Sequence, residues 1–199
     1  MQWMPEFEFG WTCGWWYIAA FVLLNLAFLF RYGFRRLGKR LVALPRFVSW
    51  TEKILSLASV SLFGRMMMLY AVFVTMKIDT VWFYLGTFVY IGGLGVYTIA
   101  LANFSVTPLD IPVVKGAYRL SRHPMQLSAV IMCLGIALAT LSWVIGLACL
   151  FQILLMPVFL RAQERACLET YGDAYRAYQA RTPRYFPGHR RNRSAGIHE

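Results

Sequence analysis

Apolar residues run through this chain in long blocks separated by short charged stretches. The first block, Gly14 to Phe30, has Trp11, Trp15, Trp16 and Tyr17 at one end. The second runs from Ile54 to Met76 and the third from Val81 to Ala102. A polar stretch, Asn103 to Gln126, follows. Leu127 to Leu160 then carries no acid or base apart from the thiols Cys133 and Cys149. A membrane-crossing helix needs about 20 mostly apolar residues, so the first three blocks each predict one span. The fourth is too long for one, since at about 1.5 Å per residue it reaches roughly 50 Å against a core near 30 Å. Thr140 to Trp143, "TLSW", is the natural break. It divides the block into a hairpin of two short helices, Leu127 to Ala139 and Trp143 to Leu160. Pro157 kinks the second leg, and Gly135 and Gly146 permit close approach. The fold class expected is an all-α integral membrane protein of about five spans with a cytoplasmic helical segment at the C-terminal end.

Charge placement agrees with five spans. Arg31, Arg35, Arg36, Lys39, Arg40, Arg46 and Lys53 separate the first two blocks, against Glu52 alone. Only Lys77 and Asp79 separate the second and third. Lys115, Arg119 and Arg122 precede the hairpin, and eight arginines follow Leu160. Basic and nearly neutral connections alternate, as the positive-inside rule requires. The N-terminus is therefore expected outside, and the 103–126 stretch and the C-terminal segment on the cytoplasmic side. Glu6 and Glu8, with no basic residue near them, argue for a retained first span rather than a signal peptide.

Composition adds that 59% of the 199 residues are hydrophobic and 15% charged. Mean hydropathy is +0.52, a membrane-class value. Topology explains the net charge of +11 without a nucleic-acid partner. The four cysteines form no CxxC pair, which argues against a disulfide framework or zinc site and reads as small buried hydrophobes. Arg65 stands mid-block in "LFGRMMML" and has two readings. It faces a protein interior or aqueous cavity, or the segment bends at Gly64 and Arg65 snorkels. Met66, Met67 and Met68 read as adaptable packing. No metal site is expected, and no pattern specifies an oligomeric state.

Polar chemistry concentrates in two segments flanking the hairpin. One is "NFSVTPLDIPVVKGAYRLSRHPMQ", where Pro108 and Pro112 extend the backbone and Gly116 permits a turn. Pro124 suits a first helical turn, which places Arg122 and His123 at a helix N-terminus able to receive an anion. The other is "RAQERACLETYGDAYRAYQARTPRYFP". Its Arg161, Glu164, Leu168, Tyr171, Tyr175 and Tyr178 recur on one helical face, and Arg161 and Glu164 form an i,i+3 pair. Gly172 marks a break, with Asp173 capping the next helix. "TPRYFP" ends the structure, and 188–199 reads as a disordered basic tail. A zwitterion fits the residue types, its carboxylate at Arg122 and His123 and its ammonium at Glu164. A surface salt-bridge network fits them too.

The combination of "GAYRLSRHPMQ", a charge-free hairpin and "QERACLETYGDAYRAYQARTPRYFP" resembles the integral-membrane methyltransferases. That superfamily includes isoprenylcysteine carboxyl methyltransferases and phospholipid N-methyltransferases. The likeness covers roughly 81–187, which divides the chain into N-terminal helices with a basic loop (1–80), a methyltransferase-like core (81–187) and the tail (188–199). It implies S-adenosylmethionine as cofactor and a lipidic or small hydrophobic methyl acceptor reached from the bilayer. Residue by residue, it implies cofactor contacts from Tyr118, Arg122, His123, Pro124 and Gln126. It adds the wrapping loop Asp110, Ile111, Pro112 and Val113, then Asn103, and the pair Gln163 and Glu164. Glu164 and His123 are the implied catalytic residues, with Arg161 orienting the acceptor's head group. Gly93 and Gly95 resemble a G-x-G of the phospholipid enzymes. Two positions depart from the pattern: Gln126 stands where an aromatic is usual, and Gln163 where an acid is. Two other readings compete, an NADPH-dependent enzyme like the sterol reductases and a non-enzymatic lipid-binding protein whose basic tail rests on anionic headgroups.

Overall fold

The computed structural model describes residues 10–33, 47–57 and 64–185. The tail 188–199, Glu6, Glu8 and most of the basic connection after the first helix lie outside them. Six α-helices are described: α1 Trp15–Tyr32, α2 Trp50–Leu57, α3 Gly64–Phe73, α4 Val81–Val106, α5 Pro124–Thr140 and α6 Trp143–Arg181. A 3₁₀ turn, Gly116–Arg119, lies between α4 and α5. Among the described residues there is no strand beyond an isolated bridge between Cys13 and Thr75. Helices α1, α4 and α6 are long and apolar enough to cross a membrane, while the 17-residue α5 is apolar but shorter.

The second expected span differs. Helix α3 stops at Phe73 because the next residues give their backbone groups to other segments. Val74 O accepts from Gly14 N at 2.9 Å, Met76 N donates to Thr12 O at 2.7 Å, and Lys77 N donates to Ala139 O at 3.0 Å. No i→i−4 ladder can continue through groups so used. Helix α2 begins earlier than expected, at Trp50, where Ser49 Oγ accepts from Glu52 N at 3.1 Å. Arg65 lies on α3, and its side chain is outside the described part.

The hairpin forms at the expected break. Leu141 adopts a left-handed conformation (φ 49°) at the end of α5, and Ser142 Oγ accepts from Ile145 N at 3.4 Å to start α6. Helix α6 then runs 39 residues through Pro157, with one non-helical residue, Gly172 (φ 52°, ψ −126°). Up to that residue it is roughly 44 Å long, more than a bilayer core, so the membrane leg continues without a break into the charged segment after Leu160. Gly172 makes the expected break, where φ and ψ together suit only glycine. Asp173 does not cap the next helix in the expected way; its carboxylate accepts from Arg176 at 3.0 Å.

Helices α4 and α5 form the tightest crossing. Along α4, Gly86, Tyr90, Gly93, Tyr97 and Ala100 are buried, one stripe at alternating four- and three-residue spacing. A Cβ on Gly86 would lie 2.4 Å from Ala139 N, and one on Gly135 would lie 2.6 Å from Tyr90 N. The two backbones touch there, as small residues allow between membrane helices. Gly146 and Gly95, by contrast, face open space. Polar side chains tie α1 to α4: Tyr17 Oη lies 2.6 Å from Thr87 Oγ1, Tyr97 Oη donates to Asn25 Oδ1 at 2.9 Å, and Tyr90 Oη donates to Tyr17 O. Outward faces are apolar, with Leu23, Phe30, Phe88, Ile91, Leu150 and Leu154 exposed. That pattern is expected of helices that face lipid rather than water.

Candidate active site

The hairpin returns α6 to the end of the bundle where α4 stopped and α5 began. Glu164 on α6 there meets the segment that starts α5. Its Oε1 lies 3.0 Å from both His123 Nε2 and Arg122 Nη1. Arg184 completes the group with a fork, Nε to Oε1 at 3.1 Å and Nη2 to Oε2 at 2.5 Å. Glu164 and His123 are each 4% exposed. The Arg122 side chain is 14% exposed and that of Arg184 31%. Burial raises the affinity of Glu164 for a proton, but the His123 and Arg184 hydrogen bonds and the charges of Arg122 and His123 outweigh it. The carboxyl is held down to about 2 and is ionised at neutral pH.

Local sequence explains why these side chains converge. Pro124 is the first residue of α5, and His123 N donates to Ser121 Oγ at 3.1 Å, which fixes the residues before the helix. Beyond α6, Pro183 and Arg184 turn back across the same residues. Arg122 N donates to Pro183 O at 3.0 Å, and Ser121 Oγ donates to Arg184 O at 3.0 Å. Tyr178 Oη donates to Tyr118 O at 2.7 Å. Val113, Tyr118, Tyr175 and Tyr178 form a buried layer with Ala100 beside the charged group. Burial pushes the hydroxyls of Tyr175 and Tyr178 well above the usual tyrosine range, so both stay protonated.

The structure brings Arg122, His123, Pro124, Gln126, Gln163 and Glu164 together at the α5–α6 mouth. The two departing positions face each other: Gln126 Nε2 donates to Gln163 Oε1 at 3.4 Å. Tyr118 and Val113 lie in the aromatic layer and Pro112 is half-buried, while Asp110 and Ile111 are exposed on the connecting loop. Tyr171 Oη holds that loop through Leu109 O at 3.3 Å. Asn103 lies in the last turn of α4 with its amide donating to Ile99 O at 2.8 Å. Its side chain packs against Gly116 (φ 59°), where any Cβ would fall 2.1 Å from Asn103 Nδ2.

Arg161 is exposed and pairs with no acid among the described residues; the expected i,i+3 pair with Glu164 is replaced by Arg122, His123 and Arg184. The reason is burial: these three donors reach the buried Glu164 carboxylate, while Arg161 lies exposed. Gly93 is buried against Met132 on α5 rather than at this site. Arg184 was not anticipated. Its one sequence signal is Pro183, which ends a helix just before an arginine. No group of metal-ligating side chains occurs among the described residues. An apolar cavity of about 50 Å³, lined by Tyr17, Phe21, Met68, Met132 and Ile136 among others, lies farther along α5 and holds no charge.

Two guanidiniums and an imidazole thus surround one carboxylate at one end of an apolar helical bundle. The class is an integral membrane protein with a charged cluster at the mouth of a helical hairpin. The family model for phospholipid methyltransferases matches residues 60–174, more than half of the chain, and the chain belongs to that family. No curated protein matches it in sequence.

Proposed function

We propose that this protein transfers a methyl group from S-adenosylmethionine to a lipidic or small hydrophobic acceptor, of the phospholipid-amine or isoprenylcysteine-carboxylate type. The observation that carries the reading is the Glu164 cluster at the α5–α6 mouth of a chain in this family. The residues present suit an amino-acid zwitterion. Arg122 Nε is buried without a hydrogen-bond partner, so a carboxylate arriving there satisfies an N–H that otherwise costs stability. Glu164 is the carboxylate of the cluster and supplies the anion that an ammonium needs.

When bound, the cofactor supplies an electrophilic methyl on a sulfonium. The chain's part is binding and alignment, which alone supplies several kcal/mol in a displacement. Arg122 and His123 receive the carboxylate, and Glu164 the ammonium. Gln126 and Gln163 bound the same mouth with neutral amides. Val113, Pro112, Ile111, Asp110, Tyr118 and Asn103 form the wall on the loop side. Glu164, held near 2, is too weak a base to deprotonate an amine at neutral pH, so its role is to bind and position. Arg161, exposed beside the mouth, meets the acceptor's head group.

In the membrane, we place α1, α4, α5 and the first half of α6 across the bilayer with the second apolar segment as a fifth span. The N-terminus is outside, and the Glu164 cluster is at the cytoplasmic surface. The acceptor enters laterally between helices. The test is transfer of labelled methyl groups to a native membrane extract, with identification of the product. The reading fails if no product is labelled, or if Glu164→Ala and His123→Ala leave cofactor binding unchanged.

A further inference from the structure

We infer that Arg184 is a resident cation on the ammonium subsite of Glu164, and that a ligand's ammonium binds by displacing it; this rests on the cofactor reading above. Four observations support the assignment. First, the charges do not balance. One carboxylate faces Arg122 and Arg184 as well as His123. A further cation placed beside this set meets two guanidiniums at close range, and like charges at that distance in a largely dehydrated site repel strongly. An ammonium therefore needs one of them to leave.

Second, the carboxylate has little free capacity. Oε1 already faces His123, Arg122 and Arg184, and Oε2 is taken by the second tooth of the Arg184 fork. Third, Arg184 is the partner able to go. Arg122 and His123 are buried at the fixed start of α5, and withdrawing Glu164 leaves the buried Arg122 charge unpaired and takes the partner from His123 Nε2. Arg184 is about one-third exposed and reaches solvent with little desolvation to reverse. Fourth, its backbone permits the motion. Arg184 follows the end of α6 on a short non-helical strap, Thr182 to Tyr185, held to the α5 side by the Arg122 N–Pro183 O and Ser121 Oγ–Arg184 O bonds. Rotation of the side chain breaks neither bond.

Arg184 therefore closes the site in the absence of ligand and sets how tightly an ammonium-bearing ligand is held. The neutral pair Gln126–Gln163 sharpens this, because neither neighbour adds a second negative charge for which Arg184 and an ammonium could be shared.

The experiment measures binding to purified full-length protein in detergent, using S-adenosylmethionine and an analogue lacking its amino group. Arg184→Gln is expected to bind S-adenosylmethionine about tenfold tighter than the wild type, the effect of one charge-assisted contact no longer competing. The analogue's affinity is expected to stay unchanged. Arg184→Lys keeps the charge without the fork and is expected to give a smaller gain in the same direction; it serves if the glutamine variant fails to fold. Equal or weaker S-adenosylmethionine binding by a folded variant overturns the inference and leaves the cofactor reading standing. A gain shared by the analogue also overturns it. Absence of S-adenosylmethionine binding by the wild type removes both.

Discussion

The α4–α5 crossing and the α5–α6 mouth lie on the same helix, α5, yet they are held by opposite means. At the crossing, Gly86 and Gly135 let two backbones touch, and nothing charged is present. At the mouth, Glu164 binds Arg122, His123 and Arg184 within a layer of tyrosines. Close packing of rigid backbones has one solution and resists change. Ion pairs have several of similar energy, and a partner can be exchanged for a ligand. In the reading proposed above, the crossing is the fixed frame and the mouth the exchangeable contact.

The contrast breaks most visibly at Glu164. Replacement by alanine strands Arg122 beside an empty place and is expected to cost about 4 kcal/mol, as when one partner of a buried pair is removed. Thermal unfolding in detergent measures it, and a loss under 1 kcal/mol would mean the cluster is solvated. Next comes the crossing. Gly135→Leu drives a side chain into Tyr90 N and Gly86 O and is expected to cost about 3 kcal/mol through forced separation of the helices. A variant that unfolds like the wild type would show that α4 and α5 are not in backbone contact. Tyr178→Phe removes the donor to Tyr118 O and is expected to cost about 1 kcal/mol, the ordinary worth of one buried hydrogen bond. At the exposed pair Asp173–Arg176, Asp173→Ala is expected to leave the melting temperature unchanged, since surface pairs contribute little.

The pH profile separates the two regions as well. The folded-state pKa of Glu164 lies near 2, below its ordinary 4.5. The stability it contributes is complete above about 4.5 and is lost as pH falls through 4.5 toward 2. Between pH 5 and 8 this carboxylate is expected to add no slope. Comparison of wild type with Glu164→Gln from pH 3 to 8 checks it: the difference in stability should shrink only at the acid end.

Periodicity and the length of apolar runs made most of the fold legible. The start of α4, the break at Thr140–Trp143, Pro124 at the head of α5 and Gly172 as an interruption each follow from backbone chemistry within a few residues. Residues 74–77 were not legible in the same way. Their composition is that of a membrane helix, but their hydrogen bonds go to residues 12, 14 and 139, distant partners that no local pattern announces. The site was legible in residue type, with Arg122, His123 and Glu164 meeting as their placement on either side of the hairpin suggests. Arg184 was not, because a helix-ending proline says that the chain turns but not where it goes.

What the amino-acid sequence determined by itself is the local and the additive: which segments are apolar enough for lipid, where helices begin and break, and which side chains can bear charge. Tertiary structure alone decided how the charges are shared. It gave Glu164 to Arg184 rather than to Arg161, and it set Gln126 against Gln163. The physical reason is that pairing depends on burial and distance. Arg161, three residues away along α6, lies exposed, while Arg184, twenty residues on, is carried back by the strap to the buried carboxylate.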